Sequence, residues 1–242
     1  ARGVLGSQAS SRPSPGHHGT ERGKCGVPWP RGTANSLELT LVQKWSGHDD
    51  DRRSIIDAAY RCLSEPHTGP IPMSAILRSA GVSTRAFYRH FGSKDELFLA
   101  LLREEGDAIA ARVDRIAQEA VGTPANQLAA WIGEMFEVIV EPVHQLQLMV
   151  IDSDEVRMAK GYRETRERSH ADRERSLVEI LGRGQRDGSF PLTDPDSDAI
   201  AISAVVSRVM AMQVPDDPQR LKQAQSRVLD FALRAVGAFS PK

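Results

Sequence analysis

Ala80–Leu97 reads AGVSTRAFYRHFGSKDEL, and these eighteen residues decide the fold. Gly81 stands where two short helices meet in a tight turn, a place that glycine occupies cheaply because φ > 0 costs it nothing. Ser83 can cap the helix that follows, since its hydroxyl can accept a backbone N–H of the first turn. Phe87 and Phe91 lie four apart and therefore share one face of that helix. The opposite face carries Thr84, Arg85, Tyr88 and Arg89, long hydrogen-bonding side chains with no apolar task. Ser93-Lys94-Asp95-Glu96 is a capping box ahead of Leu97, so another helix starts there. The pattern is a helix-turn-helix, and a short helix with one apolar edge and one Arg/Tyr/Thr edge suits a DNA major groove.

Ile76, Ala80-Gly81-Val82-Ser83, Phe87-Tyr88-Arg89-His90-Phe91 and Ser93-Lys94-Asp95-Glu96-Leu97 form an ungapped pattern that resembles the TetR family of bacterial transcriptional regulators. The resemblance covers about Asp50–Leu102, and the remainder matches the family in length and helical pattern. It implies that Thr84, Arg85 and Ala86 face bases, with Tyr88 and Arg89 beside them, that Tyr88, His90 and Lys94 hold phosphates, and that Ser83 belongs to the same DNA-binding set. Arg85 is the foremost base reader, because a guanidinium can bond guanine O6 and N7 together; contact with phosphate alone is its alternative. Two departures stand out. Pro72 occupies the start of the first motif helix, where the family usually places Thr or Ser, which leaves Ser74 as the substitute phosphate contact. Arg85-Ala86 replaces a Gly-Thr-like pair.

Charge distribution agrees with a phosphate-binding module. The net charge is −1, yet the segment from Arg52 to Lys94 holds seven Lys and Arg against Asp57 and Glu65. From Asp95 onward 18 basic residues face 25 acidic ones. A basic lobe on an acidic body neutralises phosphates and releases counterions. The two cysteines, Cys25 and Cys62, do not make a disulfide framework, which fits a reducing compartment. No apolar run is long enough to span a membrane, so the expectation is a cytoplasmic protein associated with the nucleoid through DNA.

Residues 1–48 are rich in Gly, Pro and Ser and are expected to be a disordered tail, with Leu37–Val42 as a brief ordered segment. His17, His18 and Cys25 lack metal-ligand spacing. Residues 49–102 form the DNA-binding domain, with its motif at about 72–91, and 103–242 form a C-terminal ligand-binding and dimerisation domain. Helices are expected over Asp49–Ser64, Ser93–Val121, Ala125–Val140, His144–Met158, Arg163–Arg183, Ser197–Val214 and Gln219–Phe239. Sign alternation over Arg163–Arg175 points to a solvated face laced with i,i+4 pairs. The fold class is all-α: a three-helix DNA-binding lobe plus a larger helical lobe.

Trp131, Met135, Phe136, Met149, Met158 and Tyr162 are candidates for lining a cavity that takes an apolar or aromatic effector. The resemblance implies a homodimer built by the last two helices, with Ile202, Val205, Val206, Val209, Val228, Ala232 and Val236 at the interface. The function read here is a homodimeric repressor released by ligand from a palindromic double-stranded operator. An activator, or a ligand-independent DNA-binding protein, is the alternative. An enzyme is not expected, and no cofactor or metal is. The remote rival is a metal-dependent helical bundle using Glu141/His144 and Glu167/His170, but Pro142 interrupts the first pair and the second lies in the charged run.

Overall fold

Asp50 and Asp51 put negative charge on the first turn of α1 (Asp50–Ser64), where the helix dipole favours it. In the computed structural model, which describes residues 50–213 and 217–238, α1 buries Ile55, Ile56, Ala58, Ala59 and Leu63. The tail 1–48, with Leu37–Val42, His17, His18 and Cys25, lies outside the described residues. α2 (Met73–Ala80) follows a proline-rich loop and ends at Gly81, whose φ of 69° lets its own N–H and that of Val82 return to Arg78 O and Leu77 O. α3 (Thr84–His90) starts at Ser83, whose Oγ accepts Ala86 N–H at 3.1 Å. α4 (Lys94–Glu119) starts at Ser93, which caps Glu96 N–H at 3.1 Å. The return arm of the expected capping box goes elsewhere: Glu96 Oε2 accepts from Gly92 N–H at 2.7 Å.

The second half continues as α5 (Pro124–Val138), α6 (Pro142–Ile151), α7 (Asp154–Arg157), α8 (Tyr162–Asp187), α9 (Pro195–Met210) and α10 (Pro218–Ala235). Among the described residues there is no strand, and no helix is long and apolar enough to cross a membrane. The architecture is therefore all-helical. Several element boundaries differ from the sequence expectation. The helix expected over His144–Met158 is two, because Asp152, Ser153 and Asp154 offer the backbone short polar competitors and Ser153 turns extended. α8 runs through Gly182-Arg183-Gly184 and stops only at Gly188, with φ 78°. Gly184 is there for packing: a Cβ on it would lie 2.1 Å from the Phe190 ring. α9 and α10 end at Met210 and Ala235, while Val214 and Phe239 lie outside the described residues.

Two apolar cores hold these helices. The first joins α1, α2 and α3 through Ile56, Ile76, Phe87 and Phe91 to Leu97 and Leu101 of α4, and reaches Val150, Ile151 and Val156 of α6 and α7. The second joins α4, α5, α8, α9 and α10 around Val113, Trp131, Ile132, Leu177, Phe190, Val206 and Val228. Each large side chain fully buried in this way contributes about 1.5–3 kcal/mol.

Candidate nucleic-acid interface

Phe87, with no exposed surface, anchors α3 to the first core and packs against Phe91 at 5.6 Å between centroids. That anchorage turns the other side of α3 outward. Thr84 and Arg85 are exposed, and Tyr88 is 61% exposed with its ring edge-on to Phe87. Arg85 makes no hydrogen bond or ion pair with any described residue, so its guanidinium is free to approach a base edge or a phosphate. Ser83 is exposed, but its Oγ is engaged in the cap. Arg89 leans back to Asp51 of α1 at 2.6 Å, in a pair exposed enough to yield to a phosphate at little cost. His90 is half-buried.

Two members of the expected set do not reach this surface. Ala86 is buried on the Phe87 side of α3, because successive residues of a helix are 100° apart and only one edge can face out. Lys94 is turned the other way. Its Nζ donates to Ile71 O and to Glu155 Oε1, and sits 5.1 Å above the Phe98 ring. Glu155 also accepts Ile71 N–H on both oxygens, at 3.0 and 3.1 Å, and lies 3.6 Å from His67 Nε2. This clasp ties α7 to the loop ahead of α2 and to the first turn of α4. Sequence reading missed it because Lys94 and Glu155 are 61 residues apart.

α2 supplies what sequence reading underused. Pro72 is its N-cap and gives no side-chain cap bond, so the Met73 and Ser74 N–H groups are open to an anion. Ser74 is exposed there, and Arg78 is exposed near the other end with no hydrogen bond or ion pair to a described residue. An arginine immediately before Ser79-Ala80-Gly81 was the available signal. Around this surface α1 and α4 are braced by Arg52–Glu104 at 2.7 Å, and Arg61 donates to Ser79 O at 3.1 Å. Burial raises the Asp57 carboxyl above its ordinary range, with Arg53 and Arg61 opposing it.

The six expected ligand-lining residues do not share a site. Trp131, Met135 and Phe136 are core, and Trp131 Nε1–H donates to Ser176 Oγ at 3.0 Å. Met149 and Met158 face solvent, because Val150 and Ile151 take the inner side of α6 and Val156 that of α7. Tyr162 is half-buried beside Arg166 and Asp152. The expected interface set divides as well. Ile202, Val206, Val228, Ala232 and Val236 are buried within the protomer's own second core. Val205 and Val209 line an open groove of about 720 Å³ between α9 and α10, together with Met212 and Phe231. Met212, Phe231 and Ile200 are large exposed apolar residues that the sequence reading did not single out.

The metal-bundle rival loses its second ligand pair. Glu167 is exposed, and His170 Nδ1 meets Arg173 Nη2 at 2.9 Å, where a cation would be repelled. Burial first, then Arg173 and Arg166, lower the His170 pKa to about 4. Of the first pair, His144 Nδ1 contacts the buried Glu105 at 2.9 Å, and Glu141 joins Arg112 at 2.7 Å. Among the described residues no group of three or more His, Cys, Asp or Glu is set to hold a metal ion.

Comparison with known proteins places this geometry. Residues 55–101 match the family model described as bacterial regulatory proteins, tetR family. The chain is 34% identical over 90 residues to the HTH-type transcriptional regulator BetI of Rhizobium meliloti (strain 1021), covering 35% of this chain and 41% of that protein. It is 33% identical over 92 residues to the HTH-type transcriptional repressor Rv1474c of Mycobacterium tuberculosis (strain ATCC 25618 / H37Rv), covering 36% and 48%. The match thus spans less than half the length of either relative. Among solved structures, the SmeT–triclosan complex superposes with a TM-score of 0.63 at 24% identity, over 79% of this chain and 95% of that one. AibR in complex with isovaleryl coenzyme A and operator DNA superposes with a TM-score of 0.57 at 16% identity, over 78% and 100%. These likenesses extend the shared fold through the C-terminal helices.

Proposed function

We propose that the chain is a member of the tetR family of bacterial regulatory proteins and a homodimeric repressor released from a palindromic operator by a small molecule. The observation that carries this reading is the outward edge of α3. Thr84, Arg85 and Tyr88 stand exposed on a helix whose other side is locked by Phe87 and whose start is capped by Ser83. In the proposed complex α3 lies in the major groove and Arg85 reads guanine O6 and N7 as a bidentate pair. The α2 N-terminus and Arg78 hold the flanking phosphates, and Arg89 exchanges Asp51 for phosphate.

The dimer half of the proposal draws on the α9/α10 face. Ile200, Met212 and Phe231 are exposed and Val205 and Val209 line the groove, an apolar surface that a symmetric partner would cover. The effector half draws on relatives of the same fold, one holding triclosan and one holding isovaleryl coenzyme A beside operator DNA. A ligand that binds better to a conformation with misplaced α3 helices shifts the population away from DNA. Operator binding would place the protein in the cytoplasm, on the nucleoid.

The test is selection of bound sequences from random duplex DNA by the purified protein. The expected result is one enriched palindrome, with half-site centres about 34–36 Å apart or a multiple of that. Enrichment of no sequence at moderate salt refutes the reading. An asymmetric single half-site refutes its dimer part.

A further inference from the structure

Between the two apolar cores runs a belt of buried polar groups. On α4 the first core ends at Leu102 and the second begins at Ile109, with buried Glu105 and Gly106 between them. On α8 the inner face reads Thr165, Ser169, Arg173 and Ser176 over about three turns, and turns apolar only at Leu177. Two contacts locate this stripe. A Cβ on Gly106 would lie 2.5 Å from Ser169 Oγ, so α8 meets α4 there. Ser176 accepts the Trp131 indole N–H, so α8 meets α5 about two turns on. Arg173 lies between those contacts, in the middle of the lobe.

Arg173 is 8% exposed and has no carboxylate partner among the described residues. Its one side-chain hydrogen bond goes to His170 Nδ1, and its buried Nε has no hydrogen-bond partner. His170 must be neutral to accept that bond, so it gives the guanidinium no counter-charge. Glu105, the buried acid of the belt, is engaged by His144. Asp172 pairs with Arg175, and Glu174, like Asp172, is a sequence neighbour that points off the inner face. A guanidinium is always charged and has five donors arranged for a two-oxygen acceptor. Burying one without an anion is costly, which is the signature of a group awaiting one.

We propose that Arg173 is the anion-recognising residue of an effector site at this polar belt, and that the effector is an organic oxyanion on an apolar body. The headgroup is a carboxylate or a phosphate ester, held in the fork of Arg173 with Ser169 and Ser176 beside it. The apolar body packs along the cores that flank the belt. This names the ligand class for the effector-controlled regulator proposed above and rests on that reading.

The test is thermal unfolding of the full chain with sodium octanoate, octyl phosphate or 1-octanol, at constant ionic strength in chloride. The expected result is a melting-temperature rise of about 5 °C for wild type with at least one of the two anions at saturation, and none with 1-octanol. The anion that acts identifies the headgroup. Arg173→Met removes the buried charge that lacks a carboxylate partner and is expected to melt at or above the wild-type temperature, with no response to either anion. Arg173→Lys keeps the charge without the fork and is expected to respond weakly, which serves if the methionine variant does not fold. An equal rise in the methionine variant, an equal rise with 1-octanol, or no rise in wild type with either anion overturns the proposal. Binding of wild type to its selected operator judges the regulator reading separately: a protein that binds operator yet ignores both anions retains that reading and loses this one.

Discussion

Glu155→Gln tests the contact between α7 and the helix-turn-helix lobe. The wild-type carboxylate takes Ile71 N–H at 3.0 and 3.1 Å and the Lys94 ammonium, with side-chain exposure of 14% for Glu155 and 26% for Lys94. Glutamine keeps the shape and one acceptor oxygen. Its amide N–H₂, however, then faces the Lys94 ammonium, donor against donor. A hydrogen bond to a charged group contributes about 1.5–3 kcal/mol, and breaking a fully buried pair costs about 3–5 kcal/mol. Lys94 keeps the Ile71 carbonyl and some water, so the loss should fall near the lower figure, about 2–3 kcal/mol. For a chain of this size that is a fall in melting temperature of roughly 5–10 °C. Circular dichroism at 222 nm on wild type, Glu155→Gln, Lys94→Met and the double variant measures it (the wavelength chosen to follow helix, roughly). The double variant should lose clearly less than the sum of the singles. A fall below about 1 °C for Glu155→Gln, or strict additivity, refutes the clasp. The same geometry requires that Lys94→Ala leave the salt dependence of DNA binding unchanged, whereas a phosphate contact would reduce the slope by about one.

Arg85→Ala should weaken binding to the selected site by about 1–3 kcal/mol while sparing non-specific DNA; equal losses on all duplexes in a fluorescence titration would reassign Arg85 to phosphate. Phe231→Glu should convert the proposed dimer to monomer in sedimentation velocity while the helix content stays unchanged, since Phe231 is 42% exposed in the protomer; an intact dimer would remove the α9/α10 groove from the interface. Gly184→Ala would gain up to about 1 kcal/mol of helix propensity, yet its Cβ would meet the fully buried Phe190 ring at 2.1 Å, so a net loss of about 1–3 kcal/mol is expected; unchanged or raised stability in urea unfolding would contradict that packing. His170 is held near pKa 4 in the folded chain, so below the ordinary histidine value near 6.5 the unfolded state binds the extra proton first. Its contribution is fully present above about pH 6.5 and is lost as pH falls toward 4. His170→Gln should flatten the stability profile in that window, and an unchanged slope would refute the burial argument.

The helix-turn-helix was legible because its signals act within a few residues. Gly81 supplies the left-handed turn, Ser83 and Ser93 supply caps, and Phe87 and Phe91 repeat at helical spacing. Such preferences are set by backbone geometry and need no distant partner. The start of α6 is misplaced by two residues in the sequence expectation, at His144, because Pro142 reads there as a break and not as the first helical residue that proline suits. The candidate reading edge follows from the same periodicity, with Ala86 as the exception: at 100° per residue it falls beside Phe87, though a family pattern assigns it to the groove.

Sequence by itself thus determined the helix order, the turn, and which edge of α3 is free of apolar duty. Only the tertiary structure decided which body covers each apolar stripe and where each charge finds its partner. Ile202, Val206 and Val228 could serve a dimer or the protomer's own core with one periodicity, and the packing of α9 and α10 on α5 and α8 chose the core. Lys94 could hold a phosphate or a carboxylate, and Glu155, brought from 61 residues away, took it. Arg173 sits in a run that alternates charge like a solvated surface, and α4 and α5 closing over α8 buried it. The physical reason is common to all three. Periodicity encodes the faces of one helix, whereas burial and charge pairing are properties of two surfaces that the chain must first bring together.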